Sequence, residues 1–433
     1  MEKNKLEDIV SLCKRRGFIF PGSDVYGGIA GFYDFGPLGV SLKRNIENSW
    51  WRYFVEDADN MFGIDAAIIM NPKVWQASGH VDTFTDPMVE CSNCHGRFRA
   101  DKIDQSKCPT CGKSDTFAEE RQFNMMFRTN IGPVENESSV SYLRPETAQG
   151  IFTNYKNVVD TIYPDLPFGL AQVGKAFRNE ISPRDFIFRV REFEQMEIEY
   201  FVDPENWEKE FEFLRTRIHK WIESIGIDKS KVHELEVDEK DRAHYSKRTI
   251  DFEYEFPIGK EELLGLAYRT DFDLKNIERV SGKSMDYLIK GSDKKIVPHV
   301  IEPSFGLERM IMAVLSEAYK EDEVNGEKRI FLKLPIDLAP VKICVSPLLK
   351  NKPELVDKAR EVYITLKKKY GAVMWDDNGN IGKRYRRQDE IGTPYCVVID
   401  FDSLEDDSVT VRNRDDTSQN RVKISEIDTI FAI

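Results

Sequence analysis

The chain has 433 residues, 41% of them hydrophobic and 32% charged, with a formal net charge of −13. That length suggests two or three domains with real cores, and the acidic balance argues against a simple nucleic-acid coat without excluding contact with nucleic acid. No apolar run is long enough to span a bilayer, and the charged start "MEKNKLEDIVSLCKRRGF" lacks the apolar region of a secretory signal. A cytosolic protein without membrane contact is expected, its seven cysteines serving as thiols or metal ligands and not as disulfides.

In chain order, a first helix leads to a Gly-rich turn region, "PGSDVYGGIAGFYDFGPLG". A long amphipathic helix follows, about residues 40–57, with an aromatic end of Trp50, Trp51, Tyr53 and Phe54. An interface helix is the preferred reading, because the next stretch, "DAAIIMNP", reads as a strand ending in Pro72, as an edge strand can. Residues 88–116 form a Cys-bearing insert, and strands resume at Ser141. Trp207, Phe211, Leu214, Ile218, Ile222 and Ile225 recur at three- and four-residue steps, which predicts a helix over 204–226. Residues 227–260 read as polar and irregular. "ELLGLAYRTDFDL", the strand "IVPHVIEPSFG" and a helix from Gly306 to Tyr319 come next.

After Pro335 the pattern changes. Strand "VKICVSPL", a helix over 353–370 closed by Gly371, strand "AVMWDD", a helix near 381–391 and strands "YCVVID" and "SVTVRN" read as a separate α/β domain. The 98 residues from Ile336 hold 16 Lys+Arg and 17 Asp+Glu, so the acidic excess lies in the larger N-terminal part. The second domain carries a basic cluster, Lys383, Arg384, Arg386 and Arg387, with Tyr385 among them. Such a cluster suits phosphate contacts and base stacking, or a solvated helix face.

The most specific isolated motif is Cys91-x2-Cys94-x13-Cys108-x2-Cys111. Two CxxC knuckles match a closed tetrahedral zinc site, structural because no position is left for water. His95 is surplus to four thiolates. "VSGKS" resembles the end of a phosphate-binding loop, but Ile277 stands where that pattern needs Gly.

The stretch "AFRNEISPRDFIFRVREFEQMEIEYF", Ala176 to Phe201, reads as two strands around a charged loop. Residues two apart in a strand share a face. Arg178 and Glu180 then share one face, and Arg191, Phe193, Gln195 and Glu197 another. Facing each other they would make a groove for a phosphate, a flat ring and an ammonium group. Taken alone, the pattern favours a solvated face of cross-strand ion pairs.

The stretch is not alone. "FRNE…REFEQMEIE" resembles the Arg-bearing hairpin, motif 2, of class II aminoacyl-tRNA synthetases. "GLER" is similar to their motif 3, and the long helix with "MNP" to their dimer-forming motif 1. "GFYDFGPLG", "LRPETAQGIF", "AHYSK", "GLAYRTDFDL" and "IEPSFGLER" together resemble the homodimeric glycyl-tRNA synthetases, from about residue 5 to the C-terminus. The class I signatures do not occur.

The resemblance implies an α+β catalytic domain over 1–335, built on the class II antiparallel sheet with flanking helices, a zinc-ribbon-like insert and a helical or irregular insert about 203–260. An anticodon-binding α/β domain with a mixed sheet would occupy 336–433. The implied reaction is ATP-dependent attachment of glycine to tRNA(Gly) through a glycyl-adenylate, releasing AMP and pyrophosphate, in a homodimer.

Carried onto this sequence, Arg178 would hold the α-phosphate of ATP, and Glu180 would read the adenine amino group. Phe193 and Arg309 would sandwich the ring, and Arg189 or Arg191 would hold pyrophosphate. The wider implied ATP site takes in Asn179, Phe188, Val190, Glu192, Leu263, Gly306, Leu307 and Glu308. Glu262 would hold Mg²⁺. Glycine would meet Glu146, Glu194 or Glu197, and Glu302 with Ser304, within the segments Phe193, Gln195, Met196 and Pro303, Phe305, Gly306. Arg99 would close over it, and the cluster from Lys383 to Arg387 would contact tRNA. Strand alternation separates Glu194 from Phe193 and Glu197, which favours Glu197 unless a bulge intervenes.

Two other classes compete. A non-catalytic RNA-binding subunit on the same fold should lack the ATP residues, yet Arg178, Glu180, Phe193, Glu262 and Arg309 are all present. An adenylating enzyme serving another acceptor has no need of the C-terminal domain.

Overall fold

The computed structural model describes residues 2–243, 245–324 and 326–431, with side chains from residue 5 onward. His244, within the quoted "AHYSK", lies outside the described residues.

Seven strands form the central sheet: β1 (Met61–Gly63), β2 (Phe168–Phe177), β3 (Glu192–Val202), β4 (Val232–Glu236), β5 (Arg248–Phe256), β6 (Gly259–Thr270) and β7 (His299–Gly306). Their order is β4-β5-β6-β7-β3-β2-β1. Every neighbouring pair is antiparallel except β1 with β2 at one edge. Alternation along β3 assigns the two faces. Met196, Ile198, Tyr200 and Val202 enter the main core with the helices α1 (Glu2–Arg16), α2 (Pro37–Trp51), α4 (Trp207–Ser224) and α5 (Leu307–Ala318). Phe193, Gln195, Glu197 and Glu199 point the other way. Only part of that second face is covered by helix α3 (Ala148–Ile162), through Ile151, Phe152 and Tyr155 against Phe168, Leu170 and Phe201. The uncovered part is the floor of a cleft.

Several expectations are corrected. The helix read over 40–57 begins at Pro37 and passes at Arg52 into a π-type turn ending at Glu56. Two of its four aromatic side chains belong to the core: Trp50 and Phe54 are fully buried, their ring centroids 5.9 and 5.5 Å from that of Phe305, while Trp51 and Tyr53 are half-buried. "DAAIIMNP" is not a strand, since the edge strand is β1, just upstream. Asn71 instead caps a short helix, Pro72–Ala77, by accepting from the Lys73 N–H at 3.0 Å. A proline at the first helical position behind an Asn cap is a helix start. Residues 227–260 are not irregular, for they supply β4 and β5. In β5 the buried Ile250, Phe252, Tyr254 and Phe256 alternate with more exposed residues, the period of a half-buried strand. The Cys-bearing insert has its own three-stranded sheet, Thr85–Glu90, Arg97–Arg99 and Arg121–Asn124, so it spans 85–124.

The C-terminal unit matches its reading closely. Strands β8 (Ile343–Pro347), β9 (Val373–Trp375), β10 (Tyr395–Ile399), β11 (Ser408–Asn413) and β12 (Gln419–Lys423) form a mixed sheet in the order β9-β8-β10-β11-β12. Helix α6 (Pro353–Tyr370) ends at Gly371, whose φ of 67° is the left-handed conformation that glycine accepts without strain. Helix α7 (Ile381–Ile391) joins this unit to the first. Its Ile391 enters the main core, and its Glu390 pairs with Arg16 of α1 at 2.5 Å. Its buried Asp389 takes a two-pronged bond from Arg412, at 2.8 and 2.9 Å, and lies 3.5 Å from Arg329.

Removing one partner of a buried ion pair strands the other. Asp389→Ala leaves two buried guanidiniums short of an acceptor and is expected to cost about 3–5 kcal/mol. Urea unfolding should show an early loss of structure, whereas a midpoint within error of the parent would mean that the pair carries little of the linkage.

Candidate active site

The open part of the sheet and the loop between β2 and β3 enclose a cavity of about 480 Å³. Its floor is made by the cleft-facing residues of β3, β6 and β7, and Arg178, Glu180 and Arg189 come from the loop. Arg178 and Glu180 lie just beyond the end of β2, so a loop, and not strand alternation, aims them.

At one end the groups suit a nucleotide. Arg178 donates to the Pro145 carbonyl at 3.1 Å, and its guanidinium lies 5.3 Å from the Phe193 ring centroid and 5.6 Å from that of Phe84. Glu180 pairs with Arg189 at 3.4 Å. Arg309, in the first turn of α5, sits 4.6 Å over Phe188 and donates to the Glu262 carboxylate at 2.9 Å. That guanidinium holds the half-exposed Glu262 carboxyl below its usual range. Asp251, on the neighbouring strand, lines the same cavity. Burial, with Glu262 and Glu253 adding, pushes its carboxyl up to about 7. Glu262 with Asp251 beside it is a hard-oxygen donor set of the kind magnesium takes. Val190, Leu263, Gly306 and Glu308 also line the cavity.

At the other end carboxylates crowd together. Glu197 accepts from Thr147 Oγ1 at 2.5 Å and from Ser304 Oγ at 2.7 Å. Glu146 lies beside it and faces His80 at 3.3 Å. Glu302 is bonded by Arg269 at 2.5 Å, and Arg269 also grips Asp273 with two bonds of 2.8 and 2.9 Å. Arg269 is 1% exposed, and its guanidinium lies 3.8 Å over the Tyr245 ring. Burial pushes Glu302 up to about 8, with Glu197, Glu146 and Asp273 adding to Arg269's incomplete compensation. Burial also raises Glu197, and Glu146 beside it adds to the shift. Glu146 behaves oppositely: burial opposes its charge, but His80, then Arg269 and Arg178, hold it down to about 2. The cluster is thus acidic in excess and partly protonated near neutrality, a setting for a ligand that brings its own positive charge.

Other expected residues are not brought to the cleft. Glu194 points into the helical layer, where it pairs with Lys43 of α2 and its N–H is accepted by Glu308 at 2.9 Å. No bulge interrupts β3 beside it, as the pairing with β2 runs unbroken from Glu192 to Phe201. Arg191 turns away to the carbonyls of Glu180 and Ala30, at 3.0 and 2.9 Å, because it precedes β3 and escapes its alternation. Glu192 pairs with Lys175 at 3.0 Å. Asn179 lies on the far side of the loop, towards the insert. Met196, Pro303, Phe305 and Leu307 are buried beneath the floor. Arg99 does line the cavity, held by Asp86 and Asp101 at 2.9 Å each.

The four basic residues of α7 do not all face solvent. Arg384 is buried and donates to the carbonyls of Pro347, Asp377 and Gly379. Arg387 is bonded to Asp376 at 2.7 Å, and Arg386 to Glu327 at 2.8 Å and to the Lys328 carbonyl at 2.5 Å. Tyr385 lies under the Arg412 guanidinium, 4.7 Å away. Arg384 and Arg387 tie the unit internally, Arg386 reaches across to the hairpin of strands Tyr319–Val324 and Glu327–Leu332, and Lys383 is exposed. Sequence reasoning also passed over Arg269, Asp273, Thr147 and His80. The one available signal was the Arg and Asp four residues apart in "RTDFD".

The four Sγ atoms of Cys91, Cys94, Cys108 and Cys111 lie within 4.8 Å of one another. Two of the separations are 3.7 Å. A tetrahedral zinc site with bonds of about 2.3 Å needs edges of roughly 3.8 Å, so the donor set fits that metal.

A seven-stranded sheet, antiparallel except at one edge, carrying an arginine hairpin and an arginine at the head of α5 defines a class II aminoacyl-tRNA synthetase. Residues 127–318 match the tRNA synthetase class II core domain (G, H, P, S and T), and residues 342–432 match the anticodon binding domain. The fold is similar to that of the prolyl-tRNA synthetase of Giardia lamblia solved with prolyl-adenylate, with a TM-score of 0.71 at 15% identity, over 98% of this chain and 75% of that one. A glycine–tRNA ligase of Borrelia garinii subsp. bavariensis is 49% identical over 98% of this chain and 96% of its own. One of Thermobifida fusca is 46% identical over 99% and 97%. The chain belongs to the glycine–tRNA ligase family.

The charge balance of the site has a pH signature. A ligand ammonium needs ionised carboxylates, and below about pH 8 Glu302 must first lose its proton. For glycine, the KM should therefore fall as pH rises from about 6.5 towards 8, by at most about tenfold per unit. A flat KM across that window would show that Glu302 does not titrate with binding.

Proposed function

We infer that this protein is an ATP-dependent glycine–tRNA ligase acting through a glycyl-adenylate, in the cytosol and as a homodimer, with tRNA(Gly) engaged by the C-terminal unit. What carries the reading is the pairing, in one cavity, of an Arg178–Phe193–Arg309 nucleotide end with a carboxylate end around Glu146, Glu197 and Glu302. A catalytic unit over 1–335 and an anticodon-binding unit over 336–433 follow from the same reading.

In the first step the glycine carboxylate attacks the α-phosphorus in line and pyrophosphate leaves. In the second a terminal ribose hydroxyl of tRNA attacks the adenylate carbonyl, and AMP leaves. No protein nucleophile is needed, so catalysis rests on positioning and electrostatics. Arg178 neutralises charge at the α-phosphate, and Arg189 does the same for the departing pyrophosphate. Phe193 and Arg309 hold the adenine between a ring and a guanidinium. Magnesium, when bound at Glu262, supplies further positive charge to the phosphates. Glu146, Glu197 and Glu302 take the glycine ammonium, with Ser304 fixing Glu197. Glycine must be chosen by excluding a methyl group, which overpacking penalises by ~1–3 kcal/mol. Carboxylates tied down by Thr147, Ser304 and Arg269 leave the Cα no room to shift.

Purified protein should charge tRNA with glycine, and Arg178→Ala should reduce glycine-dependent pyrophosphate exchange by about 10²–10³, as removal of one oxyanion donor does. A folded variant exchanging at the parent rate would overturn the role given to Arg178, and a parent that charges no tRNA with glycine would overturn the function.

Zinc at the four cysteines would fix the insert that carries Arg99. Metal analysis should find about one zinc per chain, and chelation should open residues 85–124 to protease. Four freely titrating thiols in fully stable protein would contradict this.

A further inference from the structure

His80 takes no part in the reaction as derived above, yet it is held on every side. It opens a short helix, His80–Thr83, whose N-cap Gly79 has a φ of 83°. Its Nδ1 shares a hydrogen bond with Ser78 Oγ at 2.8 Å, and its Nε2 faces Glu146 Oε2 at 3.3 Å. Its ring meets Trp75 edge-on, 5.5 Å between centroids, and Phe84 at a tilt, at 5.4 Å. Asn124, at the base of the insert, bonds the carbonyls of His80 and Val81 at 3.3 and 2.8 Å. Both ring nitrogens and both neighbouring rings are therefore committed, and the imidazole has one orientation.

That orientation matters because of what Glu146 faces. Its side chain is almost fully buried, beside Glu197 and within reach of the charge of Glu302, and Gln149 bridges it to Asp273. A carboxylate placed there is repelled by its neighbours and penalised by burial unless a donor holds it. Arg269 gives its hydrogen bonds to Asp273 and Glu302, and Arg178 donates from Nε to the Pro145 carbonyl, so both act on Glu146 through space and not by contact. His80 is the ring donor that touches Glu146. It occupies one oxygen edge-on, and the other meets only the long Gln149 contact of 3.4 Å. A carboxylate has about four acceptor sites, so Glu146 keeps capacity for a ligand on the side facing the cavity.

We propose that His80 is a positioning residue for amino-acid binding: it fixes and charges Glu146 from behind, so that the free oxygen of Glu146 meets the substrate ammonium. This rests on the reading of Glu146 as an ammonium ligand. A lysine in the same place would instead put a mobile ammonium beside the substrate's own. The imidazole is a rigid ring, and its contact with Ser78 fixes the direction in which Nε2 meets Glu146.

The test uses the full-length protein, glycine-dependent pyrophosphate exchange and calorimetric glycine binding. His80→Phe keeps the ring between Trp75 and Phe84 and removes both hydrogen bonds. His80→Gln returns an N–H near the position of Nε2. His80→Phe should raise the KM and Kd for glycine by about tenfold to a hundredfold, the usual weight of a charged hydrogen bond. The KM for ATP and the melting temperature should stay near the parent's. His80→Gln should recover most of the loss. An unchanged glycine KM in His80→Phe would overturn the proposal. So would equal losses in both variants accompanied by a raised ATP KM, which would mark a packing role alone. Glu146→Gln separates the two claims. If it leaves glycine binding intact, the reading of Glu146 fails. If it weakens binding while His80→Phe does not, only the role of His80 fails.

Discussion

Burial of Arg269 is the constraint on which the site depends. A guanidinium that is 1% exposed must be fully compensated or the sheet cannot hold it. Asp273 supplies two bonds from the turn of helix Phe272–Ser281, Glu302 supplies one from β7, and the rings of Tyr245 and Phe152 cover its faces. That arrangement brings β6, β7, α3 and the loop carrying Tyr245 together at one depth. It also leaves negative charge over, because Arg269 cannot satisfy Glu146 and Glu197 as well. The residual carboxylates are not a fault in packing. They are the part of the site that a cationic ligand completes.

The sheet divides labour by register. Even-numbered residues along β3 build the helical core, where Phe305 meets Trp50, Phe54 and Trp221. Odd-numbered residues carry the chemistry. A one-residue slip would turn Glu194 towards the cleft and Glu197 away from it, and put Met196 into the cleft. The uninterrupted pairing with β2, together with β7 on the other side, fixes that register. Glu199 shows how far the cleft face tolerates acid. It lies wholly buried beyond Glu197, and burial, with Glu302 adding, pushes its carboxyl well above the ordinary range.

Much of this was legible in the sequence, and the omissions have physical causes. Alternation alone separated Glu194 from Glu197, because a regular strand obeys its period. The same rule failed at Arg178 and Arg191, which lie in the loop, where period has no meaning. The two knuckles at Cys91 and Cys108 were readable because metal geometry fixes ligand spacing. Helix α6 and its Gly371 stop were readable from local signals. Partners distant in sequence were not readable: the Arg269–Glu302 bond joins β6 to β7, and His80 meets Glu146 across 66 positions. Trp50 and Phe54 misled for a related reason. A wide aromatic helix face does not say whether a core or a second chain covers it. Arg384 was misplaced because a cluster of arginines resembles a phosphate site whether its donors face water or the protein's own carbonyls.

The central claim is that the amino-acid site is charge-incomplete until an ammonium arrives, and calorimetry of glycine binding near pH 7 in buffers of different ionisation enthalpy tests it directly. With Glu302 lifted to about 8, a fraction of a proton should leave the protein as glycine binds, so the observed heat should vary linearly with the buffer's ionisation enthalpy. Tight binding whose heat is the same in every buffer would mean that the carboxylates are already ionised in the empty site, and would contradict the account.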